Sequence, residues 1–157
     1  MDRRRFILSA AIAPFGVAAI LATSVTIARA GKAAVYTGPV PGIGAGGYDV
    51  VAYFTDGRPT KGSAAHVAAH EGVTYRFASA TTRDKFVKSP GRYLPQYGGY
   101  CAYAVSQGAT ASSDPSAWTI VEDKLYLNYS KSVRSIWRQD VPGNISKADK
   151  NWPAVLN

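Results

Sequence analysis

Cysteine is nearly absent from this chain: 157 residues hold one, Cys101, beside one methionine and two histidines. A single cysteine excludes any disulfide within the chain, so the fold must stand on its core. Five Phe, ten Tyr and three Trp are available to build that core. The chain also lacks a Gly-rich phosphate loop, a His-Glu-x-x-His pair, a Cys-x-x-Cys pair and a Ser-centred hydrolase elbow. Phosphoryl transfer on a P-loop, zinc-protease chemistry, a thioredoxin-type dithiol and serine hydrolysis therefore have no sequence support. Length bounds the chain to one small domain, and no internal repeat is evident.

Charge is present, at a formal +8, but part of it lies outside the domain. Arg3-Arg4-Arg5 precede an uncharged run from Phe6 to Ala28, and Ala28-Arg29-Ala30 is a small-x-small cleavage pattern. Residues 1–30 read as a signal peptide cut after Ala30, giving a periplasmic protein with no stable membrane anchor after cleavage. Arg3-Arg4-x-Phe6-Ile7 resembles the twin-arginine signature, with the general secretory route as the alternative. Losing Arg3, Arg4, Arg5, Arg29 and Asp2 lowers Lys+Arg from 18 to 14 and Asp+Glu from 10 to 9, a net charge of about +5. The remaining basic residues are dispersed and match no nucleic-acid-binding motif, so nucleic acid is not an expected partner.

Residues 31–47 are rich in Gly, Pro and Ala and read as a flexible lead to a domain over 48–157. Within the domain, Tyr48–Phe54 reads as a strand from its Val, Tyr and Phe content. Val73, Tyr75 and Phe77 alternate after a Glu71-Gly72 turn, the mark of a hairpin. Ser79 or Thr81 caps a helix that Pro90-Gly91 stops. A second hairpin crosses Glu122-Asp123, with Leu125, Leu127 and Tyr129 on one face. Lys131–Asp140 carries a helical stripe (Val133, Ile136, Trp137) ended by Pro142-Gly143, and Ile145, Ala148 and Trp152 share a face of a last short helix. The sum is a small α+β domain with mainly antiparallel hairpins and two to three short helices.

Ligand chemistry rests on few residues. Cys101 lies in Tyr97-Gly98-Gly99-Tyr100-Cys101-Ala102-Tyr103, where glycines permit close approach and the phenols of Tyr100 and Tyr103 offer a stacking wall or weak oxygen ligands. His66 and His70 meet on one metal if their segment is helical; on a strand they share a face roughly 13 Å apart, at about 3.3 Å per residue. On a strand, only one of them, His70 beside the turn, can join Cys101. Tyr53, Tyr75 and Tyr129 read as core.

The stretch His70-Glu-Gly-Val-Thr-Tyr-Arg-Phe-Ala-Ser79, the spacing Phe86-x-x-x-Pro90-x-x-Tyr93 and the Cys101 segment resemble the YHS domain. Tyr48–Phe54, Tyr97–Ala102, Lys124–Asn128 and Asn151-Trp152-Pro153 resemble the exported bacterial branch of that family. The resemblance implies a small metal-binding module, copper being the usual suggestion, with a copper or iron ion or haem as the cofactor. The cytoplasmic forms carry Phe-Cys-Ser-x-x-Cys; here the stretch is Phe77-Ala78-Ser79-Ala80-Thr81-Thr82, without a thiolate pair. The expectation is a non-catalytic module that takes a metal or small ligand through Cys101 and His70. The alternatives are a thiol-dependent redox protein using Cys101, and a structural or partner-binding domain with an inert cysteine.

Overall fold

Short polar anchors, more than long apolar stripes, decide how this chain turns. The computed structural model describes residues 31–157; the signal peptide read from residues 1–30 lies outside them. Tyr48–Phe54 is not a strand. Asp49 is fully buried, and its Oδ1 accepts from the backbone N–H of Val51 and Ala52. That local acceptor winds the chain into a single-turn helix, α1 (Ala52–Thr55), against its β propensity.

The first hairpin follows, β1 (Ser63–His70) antiparallel to β2 (Val73–Phe77), with His70 opposite Val73. Its turn places Glu71 at φ 48° and Gly72 at φ 78°, as a primed two-residue turn requires. Tyr75 and Phe77 point inward, onto Val50, Val51 and Phe86. Helix α2 (Ala80–Lys88) starts at Ser79, whose side chain accepts from the N–H of Thr82 while the Thr82 side chain accepts from the N–H of Ser79. A turn of helix, α3 (Pro90–Tyr93), leads to α4 (Ala102–Ser106).

The second hairpin pairs β3 (Asp114–Val121) with β4 (Lys124–Asn128) across Glu122 and Asp123, both at positive φ. Leu125 and Leu127 pack with Tyr53, while Tyr126 faces Trp137. Tyr129 lies beyond the strand and is 57% exposed, so it is not a core residue. Ser130 caps α5 (Lys131–Trp137). Pro142 does not stop a helix but opens α6 (Val141–Asn151), because Asp140 accepts from Gly143 N–H and proline needs no donor in a first turn. The architecture is α+β, with two antiparallel two-stranded sheets and a few short helices.

The domain contains a repeat that the sequence conceals. Ala45, Gly46 and Gly47 have φ of 51°, 59° and 82°; Tyr97, Gly98 and Gly99 have 55°, 60° and 83°. Each triplet leads to a polar residue, Asp49 or Cys101, then to a short helix, a hairpin and a serine-capped helix. An isolated parallel bridge precedes each, Ile43 with Thr74 and Pro95 with Leu125. Each hairpin has its irregularity at the same place, Ser63/Val67 and Asp114/Trp118. The rings Tyr75–Phe86 stand 5.1 Å apart and tilted 38°, and Tyr126–Trp137 5.3 Å and 35°.

Residues 31–47, expected to be a flexible lead, are tied down: Gly42, Ile43 and Gly47 bond to the first hairpin region, and residues 32–36 are laid along the second half. Lys32 N–H donates to Leu156 O, Tyr36 N–H to Gly98 O, and the Tyr100 hydroxyl to Ala33 O at 2.8 Å. The Tyr36 ring packs on Tyr100 at 5.5 Å.

Candidate functional site

Cys101 is 1% exposed at the start of α4. Its Sγ accepts from Tyr129 N–H at 3.2 Å and Ala104 N–H at 3.5 Å, and lies 3.7 Å from Asn128 Oδ1, to which the thiol donates. The same Oδ1 accepts from Tyr103 N–H, which ties β4 to α4 around the sulfur. Asn128 is fully buried, and its Nδ2 has no partner among the described residues.

The repeat explains this arrangement. Asp49 Oδ1 accepts from Ala52 N–H, three residues on, and its Oδ2 accepts from Ala78 N–H, one residue past β2. Ala104 is three residues beyond Cys101, and Tyr129 is one residue past β4. Cys101 is thus the counterpart of Asp49: a buried acceptor that locks the start of a helix to the end of its hairpin. Neither Asp49 nor Asn128 stood out in the sequence. The signal was Gly46-Gly47-Tyr48 repeated as Gly98-Gly99-Tyr100, each followed by the polar residue.

The expected partners are not gathered at the thiol. The Tyr100 hydroxyl is committed to Ala33 O, and Tyr103 contributes its backbone N–H to Asn128. His66 and His70 both lie on β1, a strand, which separates them by roughly 13 Å at about 3.3 Å per residue. His70 belongs to the other core cluster, its ring edge-on to Phe86 at 6.0 Å. Among the described residues no group of three or more His, Cys, Asp or Glu side chains could hold a metal ion. The donor set Cys101, His70 and His66 does not fit a single copper or iron ion: the sulfur is buried with its hydrogen bonds made, and the imidazoles stand apart.

His70 lines a different feature, a cavity of about 250 Å³ at the edge of the first hairpin. Glu71, Tyr75, Leu94, Pro95 and Trp152 form its walls, and Ala34 and Val35 of the lead close one side. The volume is too small for a porphyrin. His70 Nε2 stands 3.9 Å from Glu71 Oε1. Tyr75 is 2% exposed and lines the cavity. Burial, and then the Glu71 charge, push that phenol up to about 12.

Four further tyrosines, Tyr53, Tyr97, Tyr100 and Tyr126, are also raised, burial being the largest cause in each. A raised folded-state value means that the protonated phenol is the one the fold accommodates. The associated stability is complete below the unfolded value of about 10 and is lost as pH rises toward the folded values. Tyrosinate absorbance near 295 nm should therefore rise together with loss of far-UV circular dichroism between about pH 10 and 12. Titration of all ten phenols with the fold intact would contradict the burial of these five.

Compared with family models, curated proteins and solved structures, the chain matches none.

Proposed function

We propose that this chain is an exported, non-catalytic binding module of the YHS type, in which Cys101 is structural and a small ligand occupies the His70 cavity. The observation that carries the reading is the equivalence of Cys101 with Asp49. A thiol that reproduces a carboxylate's backbone contacts, at 1% exposure, is part of the frame. It lacks the accessibility that marks redox-active cysteines. The cavity, by contrast, combines aromatic walls, a carboxylate, an imidazole and a phenol, the mixture expected of a ligand site. The export reading rests on the Arg-rich start, the apolar run and Ala28-Arg29-Ala30.

The thiol provides the test. In native buffer Cys101 should react with a thiol-specific disulfide reagent at least about a hundredfold more slowly than in denaturant, because reaction waits on local opening. Cys101→Ser should bind small ligands in the cavity as the parent does. Rapid native labelling, or a stoichiometric metal content that Cys101→Ser abolishes, would refute a structural cysteine.

A further inference from the structure

Resting on the reading of the His70 cavity as a ligand site, we infer that its ligand is a small organic ammonium compound with an apolar body and at least one N–H.

Charge comes first. Although the chain is basic overall, neither Lys nor Arg lines this cavity, and its formal charge is the Glu71 carboxylate. Glu71 is held at the cavity rim by the hairpin turn, with φ 48°, and its side chain leans toward His70 Nε2 at 3.9 Å. Its charge is also felt at the Tyr75 phenol, so the carboxylate, the imidazole and the hydroxyl converge on one region.

The walls agree. Tyr75 is clamped in place: its ring stands 5.1 Å from Phe86, and a Cβ added at Gly44 would overlap it. Trp152, edge-on to Tyr97 at 6.0 Å and tilted against Tyr100 at 6.2 Å, also lines the cavity. Aromatic faces next to a carboxylate favour cations over neutral or anionic molecules. The Tyr75 phenol, which lines the cavity, supplies an oxygen acceptor for an ammonium N–H. A volume of about 250 Å³ lies below the span of about 300–1,000 Å³ usual for drug-sized ligands, so the compound is small.

The test uses three molecules of one shape: tert-butylammonium, tert-butanol and trimethylacetate. Binding is followed by amide and indole chemical shifts at Glu71, Gly98 and Trp152 in the purified protein. Tert-butylammonium should bind at least about fivefold more tightly than tert-butanol, with trimethylacetate weakest, the factor expected for one partly exposed ion pair. Glu71→Gln, at an exposed carboxylate, should remove that preference while leaving the melting temperature unchanged. Tyr75→Phe should weaken tert-butylammonium selectively. If tert-butanol or trimethylacetate binds as well as the ammonium, or if Glu71→Gln leaves the preference intact, the charge assignment is wrong and the cavity reading stands. If none of the three shifts those signals at millimolar concentration, the cavity reading falls with it.

Discussion

Replacing Asp49 by alanine lowers the free energy of unfolding by about 3 kcal/mol, more than Cys101→Ala does. Asp49 Oδ1 serves the N–H groups of Val51 and Ala52 at 2.9 and 3.3 Å, and Oδ2 serves Ala78 at 2.9 Å. Val51 is fully buried, so no water replaces the acceptor its N–H loses, while Ala52 N–H keeps the Asp49 carbonyl at 3.2 Å. A buried donor left unsatisfied costs about 1–3 kcal/mol, and hydrogen bonds to a charged acceptor exceed neutral ones. Cys101→Ala removes contacts to a weak sulfur acceptor at 3.2 and 3.5 Å, for which about 1–2 kcal/mol is expected. Urea denaturation of both variants checks the ranking. Equal losses, or a larger one at Cys101, would show that the two anchors do not share one role.

Trp137 gives the second large effect. It is fully buried, stacked on Tyr126 at 5.3 Å and packed among Val105 and Ala148. Trp137→Ala should cost about 3–5 kcal/mol, the transfer and cavity terms together. Trp137→Phe should cost much less than lost volume alone suggests. Its counterpart in the first half is Phe86, and Trp137 Nε1 has no partner among the described residues, so the smaller ring also removes an unpaired buried donor. A Trp137→Phe loss close to that of Trp137→Ala would place a hidden hydrogen bond at Nε1. Thermal unfolding followed by Tyr fluorescence suffices to rank them.

Hairpins were the most legible part of the fold, since Val73, Tyr75 and Phe77 alternate and Glu71-Gly72 suits a primed turn. Helix starts were legible through Ser79 and the Lys131–Trp137 stripe. Segments ruled by side-chain capping were not. Val50, Val51, Tyr53 and Phe54 carry strand propensity, yet one carboxylate overrides it, because two hydrogen bonds within three residues outweigh a preference of under about 1 kcal/mol. Pro142 looked like a stop and proved a start, a difference set by Asp140 two residues before it.

The site divided in the same way. Cys101 drew notice as the lone thiol, and His70 as one of two imidazoles. What assigns their roles is non-local: Tyr129 reaching Cys101 from 28 residues away, and Trp152 closing a cavity around a hairpin edge. The repeat went unseen because few residues recur; backbone angles and hydrogen bonds carry it, with Asp answered by Cys and Phe by Trp.

The pinned lead has a consequence for resistance to cleavage. Chain ends are where proteases usually begin, since they need several residues in extended, unpaired form. Here Lys32 N–H is held by Leu156 O, and Tyr36 N–H by Gly98 O, so one bond fastens both ends of the described chain together. In a domain without a single cross-link, a protease that needs residues 32–36 extended must first break those bonds.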